Sequence, residues 1–154
     1  MRMLRNTSIG YGKMTAPDSV FLDTSPIIYL IENNPSFYSK ISSYLADVIK
    51  KDIPILTSVI SIAEFGVKPK RSNNLELIED MEQMLFVLQI KVLEITIEMA
   101  EISSTLRAKY QSLKSFDALQ LATAISSNCN SFVTNDKRLK IVTEINVMTM
   151  DELQ

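Results

Sequence analysis

The chain's 154 residues make one domain by length, and 46% hydrophobic with 22% charged residues is the balance of a soluble globular protein, which excludes wholesale disorder. A net charge of −2 excludes a protein that coats nucleic acid by bulk electrostatics, so any grip on phosphates is local or works through a bound cation. Histidine is absent and Cys129 is the only cysteine, which leaves no internal disulfide, no plausible zinc site and none of the commonest general base.

Residues 1 to 18 read as a polar tail in which Arg2, Arg5 and Lys13 lie among Gly10 and Gly12, and Met14 offers an alternative start of translation. No apolar run is long enough to cross a bilayer and the N-terminus lacks a signal-peptide core, so a cytoplasmic protein is expected. Val20-Phe21-Leu22 is a short buried strand, and Ser25-Pro26 offers a helix cap with proline at the first helical position, leaving Asp23 where strand gives way to helix. That helix stops near Asn33-Asn34-Pro35. Phe37, Ile41, Tyr44, Leu45 and Val48 then recur at spacings of three and four, the mark of an amphipathic helix, which ends at Lys50-Lys51-Asp52.

Ile53-Pro54-Ile55-Leu56-Thr57 is a second strand, and residues 58 to 65 switch to helical spacing before Gly66 and Pro69 break it. A helix follows over 74 to 89, then a third strand at Val92-Leu93-Glu94-Ile95. Thr96 caps a helix running to about Tyr110, and Ser115 caps the next, whose buried face is Leu119, Leu121, Ala122 and Ile125. Ser131-Phe132-Val133-Thr134 is a fourth strand, stopped by Asn135-Asp136 and a basic turn over 137 to 140, and Val147-Met148 is a fifth. Strands alternating with helices, without a tight hairpin signal, predict a mainly parallel sheet covered on both faces.

Four acids stand at strand ends or helix starts: Asp23, Glu64, Asp117 and Asp136. Each has a bland explanation taken alone. Asp23 and Asn135-Asp136 suit turns, Ser61-Ile62-Ala63-Glu64 fits a capping box, and an acid at position 117 is favoured by the helix dipole. Together they suggest more, because the carboxyl ends of parallel strands border the ligand crevice of an open α/β sheet. Carboxylates that crowd together there repel unless a cation neutralises them, and magnesium or manganese is the hard ion that suits an all-oxygen site.

The segments Val20-Phe21-Leu22-Asp23-Thr24-Ser25, 58 to 65 with Glu64, Ser115-Phe116-Asp117-Ala118-Leu119-Gln120-Leu121-Ala122-Thr123-Ala124, and Phe132-Val133-Thr134-Asn135-Asp136 resemble, in order, the acidic motifs of PIN-domain nucleases, most closely the toxins of the VapBC toxin-antitoxin class. The resemblance runs from about Ser19 to the C-terminus and gives two segments, a tail over 1–18 and a single PIN-like domain over 19–154. It implies a three-layer α/β/α sandwich with a central, mainly parallel sheet of about five strands. It implies hydrolysis of RNA phosphodiester bonds with Mg2+ or Mn2+, a cognate antitoxin that enters the active-site groove, and a homodimer. Carried over by position, Asp23, Glu64, Asp117 and Asp136 match the metal-binding acidic quartet, and Thr134 matches a hydroxyl residue that helps order water or substrate.

Without histidine, the nucleophile is best made by a metal ion that lowers the pKa of water. Lys68, Lys70 and Arg71 after the Glu64 helix, and Lys137, Arg138 and Lys140 after Asp136, are candidate contacts to RNA phosphates, with solvated surface charge as the alternative. Tyr29, Tyr110 and Phe116 offer base-stacking faces, though aromatics at helical spacing are more often core or interface. Two other readings stay open: a small-substrate phosphohydrolase of the haloacid-dehalogenase kind, whose second aspartate is Ser25 here, and a non-catalytic PIN-like binding module.

Overall fold

The computed structural model describes residues 18–154, so the polar tail and the start at Met14 lie outside the described residues. The elements run β1 (Val20–Leu22), α1 (Thr24–Ile31), α2 (Tyr38–Lys50), β2 (Ile55–Ser58), α3 (Val59–Phe65), α4 (Val67–Arg71), α5 (Glu76–Val87), β3 (Lys91–Leu93), α6 (Ile97–Lys109), α7 (Ser115–Ser126), β4 (Ser131–Thr134) and β5 (Asn146–Thr149), with single-turn 3-10 segments at Lys137–Ile141 and Met150–Glu152. Among the described residues no helix is long and apolar enough to cross a membrane.

The five strands form one sheet in the order β3-β2-β1-β4-β5, every neighbour parallel, as the sequence leads one to expect. The chain starts at the centre, walks outward through β2 and β3, then returns to the other side of β1 for β4. That reversal makes the carboxyl ends of β1 and β4 a topological switch point, where open α/β sheets leave a crevice.

Strand periodicity sends alternate side chains to opposite faces. Phe21 and Phe132 stack with ring centroids 5.4 Å apart on the face covered by α6 and α7, where Leu106 and Leu121 join them. Val20, Leu22 and Val133 point the other way, into a second core with Ile27, Ile41, Leu45 and Leu85 from α1, α2 and α5. The sheet is thus the middle layer of an α/β/α sandwich.

Several helix boundaries differ from the expected ones. The cap of α1 is Asp23, not Ser25, because its Oδ1 takes the Thr24 N–H at 2.8 Å, and Pro26 falls third in the helix, still within the turn that needs no backbone donor. Ser58 caps α3 by accepting from Ile60 N at 3.1 Å, which leaves Ser61 and Glu64 free of the expected capping box. Pro69 does not end this region but lies buried in α4. Lys114, not Ser115, precedes α7.

With three glycines in the whole sequence, the helices stop by other means. Asn33, Asp52, Asn73, Gln89 and Asn128 each follow a helix with positive φ, and the next amide reaches back into the last turn, as Ile90 N does to Leu85 O at 2.9 Å. Gln89 is the least suited of them, a long side chain at φ 52° without the local hydrogen bonding that eases Asn and Asp into this region. Gln89→Gly is therefore expected to raise the unfolding free energy by about 0.5–1 kcal/mol in urea titration, since the side chain is exposed and only backbone strain is relieved.

Candidate active site

Asp23 is the fixed point of the site. It follows β1 at the switch point and is buried, with Oδ1 on the Thr24 N–H at 2.8 Å and Oδ2 accepting from Thr134 Oγ1 at 2.7 Å. Its own N–H is tied to Val133 O at 2.9 Å, which fastens the end of β1 to β4. Burial pushes its carboxyl up to about 6; the bonds from Thr134 and Thr24 oppose this, while the charges of Asp117 and Glu64 add to it.

Thr134 ends β4 fully buried, and its hydroxyl, donating to Asp23, accepts the Asp136 N–H at 3.0 Å. One hydroxyl thereby sets the spacing of two acids that lie 113 residues apart in the chain. Asp136 is clasped by Arg138, whose Nε lies 2.9 Å from Oδ1 and whose Nη2 lies 2.6 Å from Oδ2. That guanidinium holds the Asp136 carboxyl below its ordinary value.

Asp117 sits in the first turn of α7, half-buried. Desolvation raises its pKa, as do the charges of Asp136 and Glu64, while Lys114 and Arg138 pull it down. Glu64, near the end of α3, is exposed and accepts from Thr24 Oγ1 at 2.8 Å. All four acids line one cleft of about 440 Å³ with Thr24, Tyr29 and Asn135. A second chamber of about 310 Å³ shares Asp117 and Asp136 with it and continues past them along Ser112, Lys114 and Arg138.

Residues 20–145 match the PIN domain family. The chain belongs to that family. Among solved structures, VapBC2 from Rickettsia felis, bound to a DNA fragment from its promoter, is similar with a TM-score of 0.70 at 18% identity over 84% of this chain and 97% of that one. FitAcB from Neisseria gonorrhoeae gives 0.69 at 20% identity over 87% and 99%. VapC20 from Mycobacterium tuberculosis, a sarcin-ricin loop cleaving toxin, gives 0.64 at 14% identity over 83% and 99%. These likenesses establish a shared fold. A comparison with curated protein sequences gives no match.

Within this PIN domain the expected quartet shares one cleft, and Thr134 lies beneath it. The cations fare differently. Lys68 pairs with Glu32 at 2.9 Å, Lys137 with Asp151 at 2.8 Å and Lys140 with Glu152, so these three make surface ion pairs. Arg138 is committed to Asp136. Lys70 and Arg71 make no ion pair among the described residues. The cation facing Asp117 and Asp136 without bonding either is Lys114, which the sequence reading passed over because one lysine before a helix carries no pattern. Tyr29 does not offer a free ring: it stacks on Phe37 with centroids 5.0 Å apart, and its hydroxyl accepts from Asn135 Nδ2 at 2.7 Å. Tyr110 bonds Glu144 on another part of the surface, whereas Phe116 is exposed next to Asp117.

The four acids offer the cleft oxygen donors only, the set that hard divalent ions take. Among the described residues no three acids already close into a cage, since Asp136 is held by Arg138 and Glu64 by Thr24. Acids spread over one cleft in this way suit an ion that keeps several of its waters, as Mg2+ does.

In metal-free solution the raised groups set the pH response. Above pH 5 the folded protein takes up a proton on Asp23 through about 6, while the unfolded chain waits until about 4, so stability rises as pH falls. Urea titrations in chelator are expected to give about 1 kcal/mol more stability at pH 5.5 than at 7.5. A stability that falls over that interval would contradict the burial of this carboxyl.

Proposed function

We propose that this PIN domain is a Mg2+- or Mn2+-dependent ribonuclease that hydrolyses RNA phosphodiester bonds, and that it is the toxin of a toxin-antitoxin pair. Residues 19–154 form the nuclease domain on this reading. The observation that carries it is the meeting of Asp23, Glu64, Asp117 and Asp136, from four separate segments, around one cleft. Family membership favours a nuclease over a small-ester phosphatase, and the cleft's open rim, with Glu64 exposed, admits a polymer.

Asp23, Asp117, Asp136 and Glu64 would hold the ion. Bound there, the ion lowers the pKa of water and neutralises charge that builds on the phosphate during in-line attack. Asp23 contributes a carboxylate whose orientation is fixed on both oxygens, so little reorganisation is needed when the substrate arrives. Thr134 holds Asp23 and the Asp136 backbone at a constant separation. Glu64, the most exposed of the four, joins the cleft while its Oε1 accepts from Thr24 Oγ1. Lys114 lies beside the acids in the second chamber, where it would take a neighbouring phosphate, and Arg138 is placed to exchange Asp136 for phosphate. Lys70 and Arg71, at the end of α4, would be further contacts to phosphate.

The toxin assignment is supported by structural relatives described as toxin-antitoxin assemblies, among them one from Klebsiella pneumoniae with a TM-score of 0.60 at 23% identity, over 86% of this chain and 98% of that one. By the same resemblance we assign the chain a cognate antitoxin, a homodimeric state and a cytoplasmic location.

Asp117→Asn is expected to fold with an unchanged circular dichroism spectrum and to lose about a thousandfold in single-turnover RNA cleavage, equivalent to about 4 kcal/mol. Chelator should abolish wild-type cleavage, and added Mg2+ or Mn2+ should restore it. Full activity in Asp117→Asn would overturn the assignment. Lys114→Gln is expected to raise KM for RNA by about three- to tenfold with kcat little changed, as loss of a ground-state phosphate contact requires.

A further inference from the structure

We propose that Gln120, on the far side of the cleft floor and out of reach of any substrate, is a positioning residue that holds Glu64 in the active site through the Thr24 hydroxyl. The inference rests on the nuclease reading for its consequence, and on a buried hydrogen-bond chain for its substance.

Beneath the acids lies a set of polar side chains sealed from solvent: Thr57, Ser58 and Ser61 are fully buried, and Gln120 and Thr24 nearly so. Five polar groups in a core are costly unless every proton has an acceptor. Here each does, and the groups that can only donate or only accept, the Gln120 amide, the Leu22 carbonyl and the Glu64 carboxylate, fix the bonds that matter for the site. Thr57 Oγ1 lies 2.8 Å from Leu22 O and 2.9 Å from Ser61 Oγ; with its proton on the Leu22 carbonyl, Ser61 is left to donate either to Thr57 or to Thr24 Oγ1, 3.1 Å away. Ser61 accepts from Gln120 Nε2, at 2.8 Å. The second proton of that amide points to Thr24 Oγ1 at 3.4 Å. Ser58 Oγ, already accepting from Ile60 N, donates to Gln120 Oε1.

Turning the Gln120 amide over breaks this pattern. The Ser58 proton would face a donor, one amide proton would have no acceptor, and the Ser61 proton would be drawn to the amide oxygen. In the observed orientation no buried side-chain polar atom is unpaired among the described residues.

The consequence falls on Thr24. Its oxygen has the Gln120 amide at 3.4 Å and Ser61 Oγ at 3.1 Å on the buried side, and its one proton goes outward to Glu64 Oε1 at 2.8 Å, because the carboxylate can only accept. Glu64 is exposed and makes no other hydrogen bond or ion pair to a side chain among the described residues, so this bond is what fixes a long, otherwise free carboxylate. Outer partners of this type are worth about ten- to a hundredfold in metal affinity or activity. Removing them acts on the ion and the chemical step rather than on substrate grip.

Thr24→Val removes the last link with little change of shape, Thr24→Ser keeps it, and Gln120→Met cuts the chain at its source. Each is measured alone and in a Glu64→Gln background, for thermal stability, Mn2+ affinity and RNA cleavage. Thr24→Val and Gln120→Met are expected to lower kcat and Mn2+ affinity by about tenfold or more with KM for RNA within about twofold, and Thr24→Ser to restore both. In the Glu64→Gln background neither is expected to add a further loss. Crystal structures of Thr24→Val should find Glu64 turned away from the cleft or spread over several rotamers. Additive losses in the double variants, or Glu64 unmoved in Thr24→Val, would overturn the proposal. If wild type cleaves no RNA, the nuclease reading falls, while the position of Glu64 in Thr24→Val still decides this one. Should Gln120→Met fail to fold, Thr24→Val carries the test alone.

Discussion

Like charges that must share a cleft are the constraint on which the rest of this structure turns. Four carboxylates repel one another, and burial makes at least one of them costly to ionise. The fold meets this with a different local compensation for each acid. Asp23 caps α1, where the helix dipole and the Thr24 N–H favour negative charge, and draws a second bond from Thr134. Asp136 borrows the guanidinium of Arg138, Asp117 lies within the field of Lys114, and Glu64 is steadied by a neutral hydroxyl. None of these devices removes the mutual repulsion, and a divalent ion at the centre would.

The sheet order makes the meeting possible. Because β1 is central and β4 returns beside it, Asp23 and Asp136 emerge next to each other, and the amide of Asp23 on Val133 O locks the two strand ends in step. α3 and α7 approach from the β2 side and from the opposite layer, bringing Glu64 and Asp117. The Phe21–Phe132 stack lies directly below on the same pair of strands, so the rigidity of the site is the rigidity of the core. The exposed ion pairs of Lys68, Lys137 and Lys140 belong to the surface.

The parallel sheet and most of the element order were legible in the sequence from branched runs for strands and spacings of three and four for helices, although α4, which holds Pro69, was not; the meeting of the quartet was suggested by acids at strand ends and helix starts, each weak alone, together with the likeness to PIN-domain motifs. Helix starts were not legible. Ser25 looks as good a cap as Asp23, and Ser115 a better one than Lys114, and only the three-dimensional demand that Asp23 hold both Thr24 and Thr134 decides the first case. The pairing of cations was also hidden, since a run such as Lys137-Arg138 gives no sign of where Asp151 and Asp136 will stand. The buried chain through Thr57, Ser58, Ser61 and Gln120 was invisible for the same reason. Each residue is an ordinary polar position in a helix or strand until the packing seals it.

The central claim is that the four acids surround a common place for a divalent ion, and paramagnetic broadening by Mn2+ tests it most directly. In a titration of the 15N-labelled protein, amides of residues 23–25, 61–65, 116–118 and 134–137 are expected to broaden together at the lowest Mn2+ concentrations, ahead of acids elsewhere on the surface such as Asp151 and Glu152. Broadening that begins at those outer acids, or that affects only one of the four segments, would contradict the account.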